Sequence, residues 1–321
     1  MSQKNRRSFL KMSAMGIASL FVKEPGRGHG IDAAEPAHGT IIDTHTHFYD
    51  PTRPQGVPWP PKEDKLLYRR VLPEDFQNVT KSLHVTGTVV VEASAWVEDN
   101  DWVLDLAARN PVIVGLVGRL APGTPAYGDH LKRLVRNRLF RGLRLGAGEL
   151  KKGLGQDRFI EDLKLLRTHD LELDVLGGPD MLTDIARLGL SVPELRIVIN
   201  HVAGVPIDSQ APPQTWLDGM RAAAKNRHVY CKVSGLVEAT GRQNGDAPKE
   251  VRFYKPVLDA LWDVFGEDRL IYGSNWPVSE RFAPYATVLA IVAEYFRAKG
   301  DVAKEKFFWR NARTVYQWVQ R

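Results

Sequence analysis

The sequence predicts an α/β fold, a single-domain (β/α)8 barrel of the TIM type. Eight short apolar runs begin near residues 41, 88, 112, 141, 171, 196, 229 and 270, and stretches with helical periodicity separate most of them. Parallel strands need such helical crossovers, and eight strand–helix units in about 280 residues match the usual size of this barrel. An open, doubly wound sheet is the alternative. No Gly-x-Gly-x-x-Gly pattern follows a strand, which argues against a dinucleotide-binding fold.

The apolar runs have the composition of strands that are buried on both faces. Each is rich in Val, Ile and Leu and shows little alternation of apolar and polar residues. After a first strand at residues 41–47, they cover Thr88–Val91, Val112–Val117, Gly142–Leu145, Leu171–Leu176, Ile197–Ile199, Val229–Val233 and Leu270–Tyr272. Helices are predicted over residues 73–83, Asp99–Arg109, Phe159–Thr168, Pro179–Leu188 and Trp216–Lys225. A proline-rich loop over residues 51–61 follows the first strand and is a candidate wall of any site there.

Composition limits the classes of function. The 321 residues are 43% hydrophobic and 26% charged, which is ordinary for a globular protein with one large core. The net charge is +6, but half of it belongs to residues 1–35, and the remaining charges are interspersed, so we expect no nucleic-acid partner. The single cysteine, Cys231, excludes an intrachain disulfide and a cysteine-cluster metal site. It lies in an apolar run and is predicted to be buried.

Residues 1–38 resemble a twin-arginine export signal and its processing region, and residues 39–321 form the predicted barrel. Arg6 and Arg7 are followed by Phe-Leu-Lys and then by a weakly apolar run at residues 12–22. That run is about half the length that spans a bilayer as a helix, so no stable membrane anchor is expected. We predict the twin-arginine export machinery as a partner and the periplasm as the location. An amphipathic terminal helix or a disordered tail is the alternative.

The first strand carries a His-x-His pair. Strand alternation places Asp43, His45 and His47 on one face, with the two imidazoles about 6–7 Å apart along the backbone. At that spacing they can bind one divalent cation or polarise one substrate oxygen. Two ordinary histidines at a strand end are the alternative, because short motifs also match by chance.

Polar side chains also gather where the other predicted strands end. The residues are Glu92, Arg119, Arg144, Asn200, His201, Lys232, Ser234 and Asn275, with Trp276 beside the last. In this barrel the active site lies at the carboxyl ends of the strands, and polar groups there are costly to bury without use. The clustering favours a functional site around the histidine pair.

Several segments resemble the amidohydrolase superfamily, in order and at fitting intervals over about residues 40–319. They are Asp43–Phe48, Asn200–Gly204, Lys232–Leu236, Tyr272–Val278 and the closing Phe308–Tyr316. They are most similar to the "amidohydrolase 2" branch, which holds sugar lactonases such as fuconolactonase, and pyrone-dicarboxylate lactonase.

The resemblance implies a distorted TIM barrel that hydrolyses esters, lactones or amides or, in sister groups, decarboxylates aromatic acids. It assigns His45, His47 and His201 to the pocket, in members with and without a metal. The strand-eight residue is normally an Asp that takes a proton from the attacking water, but here it is Asn275. A neutral amide is not a useful proton acceptor. Another group is therefore the base, or the reaction differs, or activity has been lost.

Two ways of activating a carbonyl follow. His45, His47 and His201 would hold a divalent metal, zinc above all, which lowers the pKa of a bound water to about 7. Alternatively, the imidazoles and Arg or Lys side chains polarise the carbonyl without a metal. Since Asn275 is neutral, we expect metal binding to be weaker than in relatives that carry Asp. Glu92 is the candidate substitute base and Asp43 the second, with structural roles as the alternative.

Substrate binding is predicted for Arg119, Arg144, Lys232 and Trp276. A guanidinium binds a carboxylate with two parallel hydrogen bonds, so the two arginines suit a carboxylate clamp; ion pairs with neighbouring acids are the alternative. Lys232 either reaches the pocket or pairs with Glu92. Aromatic side chains either pack or form an apolar, sugar-stacking wall, namely Trp276, Phe48, Tyr49 and Trp59.

We therefore predict an amidohydrolase-type hydrolase that opens a lactone or a similar cyclic ester, a small-molecule substrate, by water attack at the His45/His47/His201 site. A non-catalytic ligand-binding barrel, with Asn275 in place of the base, is one alternative. A decarboxylase of the same superfamily is the other.

Overall fold

The computed structural model describes residues 39–321, and it confirms the (β/α)8 barrel. Eight parallel strands pair with their neighbours in chain order. They are β1 (Ile41–Thr46), β2 (Val85–Val91), β3 (Ile113–Gly118), β4 (Phe140–Gly146), β5 (Glu172–Leu176), β6 (Ile197–Ile199), β7 (Val229–Val233) and β8 (Leu270–Tyr272). The first and last strands meet just beyond their ends, where the His47 amide donates to the Trp276 carbonyl over 3.0 Å. The ring is thus nearly closed.

Helices follow the strands, and most of them cover the outside of the barrel. They are α1 (Pro73–Thr80), α2 (Asp99–Arg109), α3 (Tyr127–Leu134), α4 (Ala147–Gly153), α5 (Asp157–Thr168), α6 (Met181–Ser191), α7 (Gln214–Ala224), α8 (Val251–Phe265), α9 (Tyr285–Ala298), α10 (Asp301–Glu305) and α11 (Asn311–Tyr316). A π-helical turn, Lys306–Arg310, joins the last two. Short 3-10 turns follow three strands at Asn200–Gly204, Glu238–Thr240 and Val278–Arg281.

The predicted strands agree with the structure more closely than the predicted helices do. Strands β6, β7 and β8 have the predicted bounds, whereas β2 begins three residues earlier, at Val85. Helix α8, with 15 residues, lies where no helix was predicted. Pro256 inside it is unfavourable to a helix, but its apolar face, which includes Leu258 and Leu261, is buried against the barrel and outweighs that cost.

Two hydrophobic layers position the site. One lies between strands and helices. The other fills the inside of the barrel, where Ile42, Val89 and Val198 pack with Trp309 and Tyr316 from the C-terminal segment. That segment is fastened near the amino ends of the strands, because the Val319 amide donates to the Val114 carbonyl and Arg196 donates to the Val315 carbonyl. The amino ends are thereby covered, and the carboxyl ends remain open.

Cys231 is buried inside the fold, as predicted. Within residues 39–321, no helix combines the length and the apolar character that crossing a membrane requires. The predicted export signal at residues 1–38 lies outside the described residues.

Candidate active site

A cleft of about 470 Å³ opens at the carboxyl ends of the strands. Its lining residues are His47, Trp59, Glu92, Ala93, Ser94, Ala95, Arg119, Arg144, Gly146, Glu149, Leu176, His201, Asn275 and Val278. Seven of the residues that the sequence singles out line the cleft. Trp59 comes from the proline-rich loop, and each of the other six lies within three residues of the end of a different strand, namely His47, Glu92, Arg119, Arg144, His201 and Asn275. The barrel closure explains the convergence, since parallel strands bring their carboxyl ends to one rim.

The three imidazoles come together although they lie far apart in the chain. The ring centroid of His45 is 5.0 Å from that of His47 and 4.4 Å from that of His201. His201 reaches this position from a left-handed backbone with φ of 50° in the turn after β6. Such a conformation is uncommon outside glycine and costs free energy. The turn is fastened by Trp216, whose indole nitrogen donates to the Val202 carbonyl over 2.9 Å.

All three imidazoles are neutral at physiological pH. Burial, together with the positive charge of Arg144, lowers the pKa of His47 to about 3. Burial and the charge of Lys232 hold the pKa of His45 well below its usual range, and burial and Arg144 do the same for His201. Each ring therefore carries one proton and offers one donor and one acceptor nitrogen.

Asn275 connects His47 to a carboxylate that the sequence did not single out. The Oδ1 atom of Asn275 lies 3.3 Å from Nε2 of His47, and its amide nitrogen donates to Oε1 of Glu238 over 2.8 Å. The Oε2 atom of Glu238 is buried and has no hydrogen-bond partner within the described part of the chain. Burial raises the pKa of Glu238 to about 7. Its position just after β7 was the available signal, but only the folded chain brings it to Asn275.

Two arginine–glutamate pairs form one side of the cleft. Arg144 donates from Nε to Oε1 of Glu92 over 2.9 Å and from Nη2 to the Glu92 carbonyl over 2.6 Å. Arg119 donates hydrogen bonds to both carboxylate oxygens of Glu149, one of them over 3.0 Å. Both arginines line the cleft, but each is already paired with an acid. The ion-pair alternative thus describes them better than the carboxylate clamp.

Two predicted substrate contacts need correction, because burial removes them from the cleft. Lys232 is completely buried and pairs with Asp174 over 2.7 Å rather than with Glu92. Trp276 is 1% exposed and packs against Phe48 and Phe76 in the core. Phe48 and Tyr49 are likewise buried, whereas Trp59 of the proline-rich loop does line the cleft.

Asp43, the second candidate base, has a structural role. Its Oδ1 atom accepts hydrogen bonds from the backbone amides of Ser274 and His45, and its Oδ2 atom accepts one from the Tyr285 hydroxyl. The side chain is completely buried, and burial raises its pKa to about 6. Its oxygens thus join β1 to the end of β8 instead of facing the cleft.

The three histidines do not form a complete metal-binding set. Across residues 39–321, no group of three or more His, Cys, Asp or Glu side chains is arranged to hold a metal ion. A metal-bound histidine normally donates its second ring nitrogen to an acceptor. His47 meets this condition through the Val91 carbonyl at 3.0 Å, and His201 through the Ser234 hydroxyl at 2.8 Å. His45 does not, since its Nδ1 atom faces the Lys232 ammonium at 3.3 Å. The three imidazoles, as placed, do not fit a zinc ion.

Comparison with known proteins identifies the family. The sequence pattern of the amidohydrolases, in its "amidohydrolase 2" form, matches residues 42–318. The chain belongs to this amidohydrolase family. An L-fucono-1,5-lactonase of Burkholderia ambifaria is 33% identical to this amidohydrolase over 287 residues, which cover 86% of this chain and 95% of the relative. An L-fucono-1,5-lactonase of Burkholderia multivorans is 26% identical over 276 residues, covering 84% of this chain and 92% of the relative.

Solved structures share the fold of this amidohydrolase. A zinc-bound amidohydrolase from Burkholderia multivorans superposes with a TM-score of 0.78 at 24% identity, covering 87% of this chain and 99% of the other. A putative 2-pyrone-4,6-dicarboxylic acid hydrolase from Pseudomonas putida has a TM-score of 0.69 at 22% identity, covering 88% and 98%. Family and relatives together make the protein an amidohydrolase-type, lactonase-like hydrolase that acts on a small molecule.

Proposed function

We propose that this hydrolase opens a neutral, hydroxylated lactone by water attack in the cleft. The observation that carries the proposal is the charge balance of the lining: Arg144 and Arg119 are neutralised by Glu92 and Glu149, and the imidazoles are uncharged. A carboxylated substrate would have to displace one of these pairs. A polyol lactone needs only hydrogen bonds, which the polar edges of the same side chains supply. The two relatives named L-fucono-1,5-lactonase support a sugar lactone.

Arg144 supports the developing oxyanion in this proposal. The positive charge of its guanidinium lowers the pKa of both His47 and His201, and the side chain lines the cleft beside them. Once Glu92 has taken a proton from water, the charge of Arg144 is no longer balanced, and it stabilises the negative charge that forms on the carbonyl oxygen.

Glu92 is the proposed base, because the two carboxylates of the cleft differ in proton affinity. Burial raises the pKa of Glu92 despite the opposing charge of Arg144. Burial also acts on Glu149, but hydrogen bonds from Arg119 and the Gly146 amide outweigh it and lower that pKa. A base works best when its pKa lies near the working pH. Glu92 takes a proton from water as the new C–O bond forms, and returns it to the ring oxygen as the ester C–O bond breaks, which leaves a hydroxy acid.

A panel of lactones with a pH-indicator readout tests the proposal. Neutral aldono-1,5-lactones should be hydrolysed, and a carboxylated pyrone should react about fivefold more slowly, the equivalent of about 1 kcal/mol for separating a partly exposed arginine–glutamate pair. Glu92→Gln should lower kcat by about 10²–10⁴-fold, the usual contribution of a general base. Glu149→Gln, the matched change at the other cleft carboxylate, should have a smaller effect and chiefly on KM. Hydrolysis of no lactone would instead support the ligand-binding alternative.

We also propose that the chain is exported by the twin-arginine route to the periplasm, on the strength of Arg6, Arg7 and the apolar run after them. Fusing residues 1–40 to a reporter should export it. Changing Arg6 and Arg7 to Lys should abolish export, and unchanged export would contradict the proposal.

A further inference from the structure

The two histidines of the His-x-His pair meet opposite kinds of partner at the same ring nitrogen. Nδ1 of His47 lies 3.0 Å from the backbone carbonyl oxygen of Val91, which can only accept a hydrogen bond. Nδ1 of His45 lies 3.3 Å from Nζ of Lys232 on β7. What Lys232 can do at that contact depends on its charge.

Burial lowers the pKa of Lys232, and the adjacent Asp174 carboxylate opposes that shift and favours the ammonium ion. Its Nζ atom lies 2.7 Å from Oδ2 of Asp174, and the other oxygen of Asp174 accepts a hydrogen bond from the Tyr316 hydroxyl over 2.8 Å. Lys232 and Asp174 are completely buried, and Nζ also lies 5.2 Å from the centre of the Tyr316 ring. A buried carboxylate with two donors is stabilised as an anion, which in turn favours the cation beside it. An ammonium ion donates hydrogen bonds and accepts none.

The proton positions follow from these partners. Nδ1 of His45 must accept from Lys232, so the single proton of this neutral ring is on Nε2. Both oxygens near His47 are acceptors: the Val91 carbonyl lies 3.0 Å from Nδ1, and Oδ1 of Asn275 lies 3.3 Å from Nε2. The single proton of this neutral ring belongs at the shorter contact, on Nδ1, so Nε2 keeps its lone pair and makes no hydrogen bond to Asn275. Nε2 of His45, on the side of the ring away from Lys232, is buried and has no hydrogen-bond partner among residues 39–321.

We propose that the Lys232–Asp174–Tyr316 chain locks His45 in the Nε2–H tautomer, so that His45 serves as a hydrogen-bond donor and not as a metal ligand. The pair on β1 is then one donor and one acceptor. The group that satisfies Nε2 of His45 is an oxygen acceptor, either a water or the carbonyl of an ester, and any zinc held near His47 and His201 is held without His45. Lys232 is a positioning residue that acts through His45. The lock concerns the protein's own groups and stands apart from the choice of lactone.

Nitrogen NMR of the full-length, zinc-free protein with ¹⁵N-labelled histidine tests the lock directly. His45 and His47 should show opposite tautomers, assigned by comparison with His45→Asn and His47→Asn, and neither should titrate between pH 6 and pH 8. Finding His45 protonated on Nδ1 would overturn the proposal, whatever the lactone panel shows.

Lys232→Gln should replace the hydrogen-bond donor that faces Nδ1 of His45 with an acceptor. The glutamine amide can donate to Asp174 and present its oxygen to Nδ1 of His45, which should move the His45 proton to Nδ1. Zinc affinity, measured by competition with a chelating indicator, should rise about 10–100-fold, the range reported for changes of a ligand's hydrogen-bond partner. Lys255→Gln, which removes the exposed Lys255–Asp259 pair, is the matched control and should leave zinc affinity unchanged. Equal zinc affinity in folded Lys232→Gln and wild type would overturn the proposal.

A zinc titration of the wild type keeps the test independent of that variant's folding. Zinc should shift the His47 and His201 resonances while His45 retains its Nε2 proton. Loss of that proton on zinc binding would overturn the proposal.

Discussion

The wall of the cleft and the barrel interior beneath it hold the same kinds of charged side chain in different surroundings. In the wall, the Arg119 and Glu149 side chains are 20% and 42% exposed, and those of Arg144 and Glu92 are 11% and 17% exposed. In the interior, Lys232 and Asp174 are both 0% exposed. A partly hydrated pair can be separated by a ligand at modest cost, whereas removing one member of a buried pair leaves an uncompensated charge. The wall is therefore suited to binding, and the interior fixes the orientation of the groups above it.

The largest expected effect is the loss of folding stability when the buried pair of the interior is broken. Asp174→Ala leaves the Lys232 ammonium buried without its carboxylate, and we expect a loss of about 3–5 kcal/mol in the free energy of unfolding. Urea unfolding measures it. Asp218→Ala removes an exposed pair with Arg221 and should cost less than about 1 kcal/mol. Similar losses in the two variants would show that burial does not distinguish the interior pair.

The second effect separates the two arginines of the wall. Arg144→Gln removes the charge beside His47 and His201 and should lower kcat by about 10²–10³-fold, as the loss of an oxyanion-stabilising group does. Arg119→Gln should raise KM and change kcat little, since Arg119 is held against Glu149. Steady-state kinetics on the best lactone of the panel measure both. Equal losses of kcat would assign the two pairs the same role.

The third prediction concerns Asn275. Asn275→Asp would set a second carboxylate against Oε1 of Glu238, at the place of the present 2.8 Å hydrogen bond. Two neighbouring carboxylates repel and raise each other's pKa, and the lost donor should cost about 1–3 kcal/mol. Thermal unfolding should show a larger loss at pH 8 than at pH 6. A rate gain from the added base should emerge once Glu238→Gln is combined with it, and no gain across the panel would show that water activation is not limiting.

The smallest effect is the pH dependence that Glu238 gives to stability. The pKa of Glu238 is raised from 4.5 to about 7 in the folded protein. The folded state therefore holds this proton more tightly than the unfolded chain, and the contribution of Glu238 to stability falls as pH rises from about 4.5 to about 7. We expect Glu238→Gln to stabilise the folded protein by about 1–2 kcal/mol more at pH 8 than at pH 5. The full pKa shift would give a larger difference, but the side chain is partly exposed and solvent screening reduces it.

Urea midpoints of wild type and Glu238→Gln at both pH values measure the difference. Asp43 and Glu172, whose pKa values burial also raises, contribute equally to both proteins and cancel. The same gain at pH 5 and pH 8 would contradict the raised pKa of Glu238.

Residue patterns predict some of the side chains that line the site but not all of them. Strand ends place His47, Glu92 and Asn275 at one rim, because every parallel strand contributes its carboxyl end to the same edge. The same patterns assign Lys232 and Trp276 to the pocket, and both are buried. Alternation along a strand gives the face of a side chain but not its depth. Glu238 was missed since it lies in a turn after β7, where neither alternation nor helical periodicity applies.

The sequence by itself determined the barrel, its strand bounds at β6, β7 and β8, the family and the rim on which the chemistry lies, because these follow from local apolar runs and short motifs. Tertiary structure decided the partners: Arg144 pairs with Glu92, Lys232 with Asp174, and His45 meets Lys232 across 187 residues of chain. Those partners determine the charge balance of the cleft, the burial of Lys232 and the tautomer of His45. The physical reason is that closing the ring brings β1, β5 and β7 together with the C-terminal helix in a dry interior, where each polar group must bond with whichever group lies nearest.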